Sequence, residues 1–507
     1  MNPLLLEPVK RTPIHMVSGR SWPLAWLKPW WRILVVPLAV LFLAPAQPTL
    51  AQTIPDGSLT LDEAVSRTLD GSREVREARL ALEAAARDVA EARGGLLPRL
   101  DMNLRYGRNL TPPATFLPAI LFDPDASPEE VTRVRFGLDN VWTGGLYLEQ
   151  PLIEGRALAA VRAASRYQEL QDEGVRGTVH QAVTETRLRY YDLLLAQERE
   201  RLARESLDRV RGTLRLTRAL REEGLASEYE LLRMEVEVAN LEPLLDRART
   251  DRREADRELR VTMGLDPEGE PLRLEGSLST LELEEADQNT PQNRALLAFS
   301  GVPTPEATTD ELVRAALEGG SALREVELEQ RVQEARIRAE QADRLPRISL
   351  FGAYDVQAQQ DGSPEFFATS AQRGYSRVVG VQVTVPLFTG LQRRARVQRA
   401  QTNLRRVENQ RDLLGDRTEA EVRTLVERTQ EARGRARAQR RAMEQAERAY
   451  RIISALFGEG LASQMEVTDA EVALRQSEVN YAETVHGYLS ARARLDVLIG
   501  RVPGVEL

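Results

Sequence analysis

The chain has no cysteine among its 507 residues. That excludes a disulfide framework, a thiolate metal site, a cysteine nucleophile and a lipid anchor carried on an N-terminal cysteine. Aromatic residues are only 5% of the chain and charged residues 29%. This is too little large apolar material for a thick globular core, and it suits long helices packed through thin Ala/Leu/Val seams. Lysine is missing after Lys28, and histidine occurs only at His15, His180 and His486. The last two are expected to stand alone on helices, at packing or solvated positions. No P-loop, no His-Glu-x-x-His and no nucleophile elbow is present, so no catalytic site, cofactor or metal is expected. The net charge is −8; residues 1–51 hold Lys10, Arg11, Arg20, Lys28 and Arg32 against Glu7, which leaves the body at −12. An acidic body of this kind does not bind nucleic acid through its phosphates.

Long apolar runs are also missing beyond the first 51 residues. Those residues read as a signal peptide: basic residues end at Arg32, an apolar run covers 33–44, and small residues follow. Cleavage is expected after Ala44-Pro45-Ala46 or Thr49-Leu50-Ala51, and Met16 is an alternative start. A membrane anchor is the competing reading, but the run is short for a span of roughly 20 residues, and Pro37 interrupts it. The remainder can cross a membrane only as a β-barrel.

What is present is a duplication. Glu-Gly-Leu-Ala-Ser occurs at 223–227 and again at 459–463. Gly224 and Gly460 suit the left-handed residue that closes a helix. Ser227 and Ser463 suit the N-cap of the next helix, and Glu230 and Glu466 complete a capping box three residues on. Each copy therefore predicts the tip of an αα-hairpin. Other pairs echo in the same order: Leu97-Pro98-Arg99 with Leu345-Pro346-Arg347, Gln150-Pro151-Leu152 with Val385-Pro386-Leu387, and Met263-Gly264 with Ile499-Gly500. An ordered set of echoes marks two halves of one plan: 52–264 and 310–507, joined by a Pro/Gly/acid-rich linker or equatorial region at 265–309.

Within each half the period of the apolar residues changes twice. Residues 59–96 and 310–344 carry helical stripes. Leu100, Met102, Leu104 and Tyr106 alternate with polar residues, as do Ile348, Leu350, Tyr354 and Val356; these predict strands with one apolar face. Residues 109–133 and 357–376 read as loops, with partner strands near 136–149 and 379–385. Pro151 and Pro386 are expected to mark the strand-to-helix junctions. Helical runs at 155–223 and 390–458 follow, each roughly 100 Å long at about 1.5 Å per residue, then the tips, then helices of half that length, with Pro243 expected to kink the first. The fold class is mainly α with a small β part.

Two short helices end to end match one long one, so each half pairs its long helix with a stacked pair. Both hairpins then lie at one pole and both tips at the other. Four strands cannot close into a barrel, and open edges are not viable in lipid, so several copies must share one. In this arrangement the chain resembles the TolC-like outer-membrane efflux proteins, over residues 59–500 and in every part named above. The resemblance implies a homotrimer with a 12-stranded transmembrane barrel and an α-barrel tunnel reaching into the periplasm. It implies passive export in the outer membrane, with a periplasmic adaptor on the tips and an inner-membrane pump behind it. Gly224, Leu225, Ser227, Gly460, Leu461 and Ser463 become the expected adaptor-docking residues. Glu230, Glu466 and Asp469 become the expected ring at the periplasmic entrance, with Glu at two positions where the family usually has Asp; the capping box is the alternative duty of those two. Drug efflux, metal efflux and protein secretion are not separated. A periplasmic coiled-coil scaffold is the alternative, but it accounts for neither the leader nor the paired strands.

Overall fold

The structure, a computed structural model, describes residues 58–127, 129–135, 137–281, 283 and 308–502. The expected leader and most of 282–307 lie outside them. The elements run α1 (Leu61–Gly71), α2 (Arg73–Gly94), β1 (Arg99–Arg108), β2 (Ala114–Pro118), β3 (Val131–Arg135), β4 (Asn140–Ile153), α3 (Gly155–Glu222) and α4 (Glu228–Thr262). The second half follows with α5 (Thr309–Gly319), α6 (Ser321–Ala342), β5 (Arg347–Gln360), β6 (Arg373–Thr384), α7 (Gln392–Gly458) and α8 (Gln464–Leu498).

The helices form rods side by side. Helix α3 touches α1, α2 and α4 of its own half and α6 and α8 of the other, while α7 touches α5, α6 and α8. The order is therefore α1/α2/α4, α3, α5/α6/α8, α7, with the first and last rods at the edges. Burial follows this order. In the lower shaft α3 buries Ala203, Leu207 and Val210 against Met234, Leu241 and Leu245 of α4. Helix α7 has no fully buried residue between Ala436 and Phe457, because one of its sides faces nothing in this chain. Helix α4 runs unbroken through Pro243, which sits at an exposed position.

Two expected single helices are each broken in two. Ser72, in extended backbone, ends α1 and caps α2 by accepting from Val75 N–H. Gly320 does the same between α5 and α6 without a side-chain cap. The cause lies elsewhere in the sequence. Gly264, with φ +72°, brings its backbone so close that a Cβ would stand 2.2 Å from Gly71 O; Gly500, with φ +69°, repeats this against Gly319 O. The end of each second short helix thus drives into the break of the first. Only glycine permits that backbone at that distance.

Residues 265–281 run across α3 and α8. Leu59 bridges Leu274 in parallel, and the buried Tyr190 hydroxyl lies 2.9 Å from Leu59 O and 2.7 Å from Glu275 O. The Tyr481 hydroxyl donates to Leu281 O at 2.7 Å.

Strands β1, β4, β5 and β6 form one antiparallel sheet in the order β1-β4-β5-β6, so the two halves join through β4 and β5, and β1 and β6 are its edges. Strand β4 runs past Pro151, which was expected to mark the junction with the helix; the register instead shifts between Pro151 and Ile153. A bulge of this kind absorbs a residue that has no N–H to give. The stretch 109–133, expected to be loop, contains a small hairpin of β2 and β3. Its prolines escape notice as strand signals because Pro118 ends a strand and Pro112 and Pro113 precede it.

One face of the large sheet is apolar. Leu100, Met102, Leu104 and Tyr106 of β1 share it with Leu148, Leu146 and Trp142 of β4, and with Val379, Val381 and Val383 of β6. Met102 is 72% and Val379 80% exposed. Leu100 and Val379 occupy the same rung, but from there the apolar window runs toward the loops on β1 and toward the helices on β6. The window therefore slides about two residues per strand across the sheet, as it must when leaning strands cross a level band.

Candidate functional site

The tip pole is built twice by the same local chemistry. Leu225 N–H donates to Leu220 O and Gly224 N–H to Arg221 O; Leu461 and Gly460 repeat both bonds with Leu456 and Phe457. With Gly224 at φ +73° and Gly460 at φ +71°, these are Schellman closures that satisfy the last carbonyls of α3 and α7. Ser227 and Ser463 then cap α4 and α8. The Oε2 atom of Glu230 takes Ser227 N–H at 2.7 Å and its hydroxyl at 2.9 Å, and Glu466 does the same with Ser463 at the same distances. The bonds to the ionised form hold the Glu466 carboxyl below its ordinary range. Both glutamates are thus folded back into capping boxes. Asp469 stands exposed on α8 with no capping duty.

The two tips meet. Met234 of α4 receives the Gln464 side-chain amide of α8, Nε2 to Sδ at 2.6 Å, with the Thr468 hydroxyl at 3.8 Å. Beyond that contact the tips are apolar and open: Leu225 is 77% and Leu461 75% exposed. Tyr229 and Val236 carry the exposed stripe up α4, and Met465 and Val472 carry it at the equivalent places on α8. The spacing of four and then seven is one helix face. This duplicated stripe was readable in the sequence as a heptad-like pattern, but only exposure separates it from a core seam.

At the opposite pole the loop-side end of the sheet carries an aromatic cluster. Tyr106 and Trp142 stand 4.5 Å apart, with Phe366 and Phe367 around Trp142. Tyr354 and Tyr375 are 6.5 Å apart. Aromatic girdles of this kind mark the ends of the apolar band in transmembrane barrels. The scattered sequence positions of these six residues hid it.

The histidines correct one expectation. His180 is buried, and desolvation together with Arg176 lowers its pKa. His486 is not alone: its Nε2 lies 2.7 Å from Asp192 Oδ1 of α3. The His486–Asp192 contact links α8 to α3 inside the shaft. Among the described residues no group of three His, Cys, Asp or Glu side chains is placed to hold a metal, and no helix is long and apolar enough to cross a membrane.

Known proteins share this arrangement. The solved outer-membrane channel CmeC of Campylobacter jejuni superposes with a TM-score of 0.69 at 16% identity, over 88% of this chain and 87% of that one. The cobalt-zinc-cadmium resistance protein CzcC of Cupriavidus metallidurans is 26% identical over 388 residues, 74% of this chain and 81% of its own. The alkaline protease secretion protein AprF of Pseudomonas aeruginosa is 24% identical over 430 residues, 84% and 81% respectively. The family described as outer membrane efflux protein matches residues 64–265 and 312–501, that is, both repeats from α1 to the end of the second tip helix. The chain is therefore a member of the outer membrane efflux protein family.

Proposed function

We propose that this outer-membrane protein, with its helical shaft in the periplasm, is the passive exit duct of a tripartite efflux or type I secretion system. Three copies pool their strands into a 12-stranded barrel and their rods into a tunnel. A periplasmic adaptor docks on Gly224, Leu225, Ser227, Gly460, Leu461 and Ser463, and an inner-membrane pump supplies the energy. The observation that carries this reading is the four-stranded sheet with one exposed apolar face and two unpaired edges. Such a sheet is unsustainable in water and incomplete in lipid until the edges of other copies close it. The unburied flank of α7 supports the same closure in the shaft.

At the entrance, Asp469 repeated by three-fold symmetry forms an acidic ring that favours cations, with Glu230 and Glu466 contributing the charge their caps leave in place. Cargo is chosen by the pump. That one relative is named for metal resistance and another for protease secretion supports a duct whose cargo is set outside it.

The test is reconstitution into planar bilayers. Trimers that conduct, with a reversal potential shifted toward anions in Asp469→Asn, are the expected result. Monomers that pass no current would end the duct reading, and an unchanged reversal potential would remove the ring alone.

A further inference from the structure

The apolar face of the sheet ends toward the loops in two arginines that lack acidic partners. On β6 the face runs Val383, Val381, Val379 and then Arg377, whose guanidinium lies over the Tyr354 ring at 5.4 Å. On β1 it runs Leu100, Met102, Leu104, Tyr106 and then Arg108, by strand alternation. Among the described residues no carboxylate pairs with either arginine, and both are exposed. Arg373, further along β6, differs: it donates to Phe367 O and Ala368 O of the loop.

The slide of the apolar window places Arg108 and Arg377 at the same level. Each is the first cation past the window on its strand, although their rungs differ by three. They also occupy the two edge strands, so closing the sheet with further copies brings Arg377 of one copy beside Arg108 of the next. Like charges at one level repel unless an anion lies between them. The described residues supply no such anion, and water is scarce at an acyl boundary. Aromatic rings flank both positions, Tyr106 with Trp142 and Tyr354 with Tyr375: Tyr106 and Tyr354 offer flat apolar surface to an acyl chain just inside the charge, and Tyr375 follows Arg377 on the loop side.

We infer that Arg108 and Arg377, with Tyr106, Trp142, Tyr354 and Tyr375, form a site at each subunit seam for a phosphate-bearing, acylated lipid of the outer leaflet. The phosphate bridges the two guanidiniums, a bidentate geometry that arginine suits, and the acyl chains lie along the apolar window. The inference rests on the sheet being part of a membrane-embedded barrel, with its helix-bearing end periplasmic.

Native mass spectrometry of detergent-purified protein tests it, with a bisphosphorylated acylated disaccharide lipid as probe. Wild-type trimers are expected to retain the lipid and to lose it at least about ten-fold when the lipid is enzymatically dephosphorylated. Arg377→Gln should weaken retention roughly five-fold, and Arg108→Gln with Arg377→Gln about thirty-fold. Excess inorganic pyrophosphate should not displace the lipid, because it lacks the chains. Equal retention of the dephosphorylated lipid by the wild type would overturn the site, and that arm does not depend on any variant folding. Equal retention by the double variant would overturn it too. Wild-type chains that never form heat-modifiable trimers would instead defeat the barrel reading beneath it.

Discussion

At the scale of single residues, the glycines separate two demands that sequence alone merges. Gly224 and Gly264 share a left-handed φ, yet a Cβ at Gly224 meets nothing within 4 Å, whereas one at Gly264 strikes Gly71 O at 2.2 Å. Gly224→Ala should cost about 1 kcal/mol, the conformational term alone. Gly264→Ala should cost at least about 3 kcal/mol, because a backbone contact must also open. Urea unfolding of the two variants checks the difference, and equal losses would contradict the close approach. The tip leucines behave differently. Leu225→Arg with Leu461→Arg should leave stability within about 0.5 kcal/mol and weaken adaptor binding by ten-fold or more, measured by surface plasmon resonance with the adaptor that co-purifies. The capping boxes, the glycine closures and the exposed leucines were legible in two five-residue motifs and the glutamate three residues after each, since all lie within one turn of the chain. The folding back of Glu230 and Glu466 onto the caps was legible only as one of two duties.

At the scale of elements, the long central helix is locked to the other half of the chain by buried charge. Arg187 Nη1 of α3 meets Asp496 Oδ2 of α8 at 2.8 Å, and both are shut from solvent. Burial pushes the Asp496 carboxyl up to about 6 despite the guanidinium, while Arg187, which burial alone would lower, is raised by Tyr191 and Asp496 together. A raised carboxyl contributes its stability below the ordinary carboxylate range and loses it as pH rises to about 6. Asp496→Asn should therefore flatten the fall in melting temperature between about pH 4 and pH 6, read by circular dichroism. Asp496→Ala should destabilise by about 3–5 kcal/mol, by leaving the buried Arg187 without its carboxylate. Higher in the sequence hierarchy, α1 and α2 read as one helix because Gly71-Ser72 is a weak local signal. The break was decided by Gly264, almost two hundred residues away in the chain. The same holds for the β2–β3 hairpin, whose prolines mask its pairing.

At the scale of the whole molecule, the open sheet predicts who its neighbours are. By the slide of the apolar window, Asn103 on the polar face of β1 stands level with Gln382 on the polar face of β6. Because the chain has no native cysteine, Asn103→Cys with Gln382→Cys gives a clean pair for a short bismaleimide. A ladder of cross-linked dimers and trimers on denaturing gels is expected from membranes, and intramolecular product alone would contradict closure between copies. Membrane fractionation with heat-modifiable mobility separates the same reading from a soluble coiled-coil scaffold. The sequence by itself determined the duplication, the helix-strand-helix order of each half, the tips and the apolar face of the strands. These depend on periods of 2 and 3.6 and on short capping motifs, all of which lie within a few residues of one another. Only the tertiary structure decided that β4 and β5 join the halves, that α3 is an inner rod and α7 an edge, that the short helices break at Gly71 and Gly319, and that aromatic rings scattered in the sequence gather on one sheet. Those features arise where residues far apart in the chain compete for the same space, and no local pattern records the outcome of that competition.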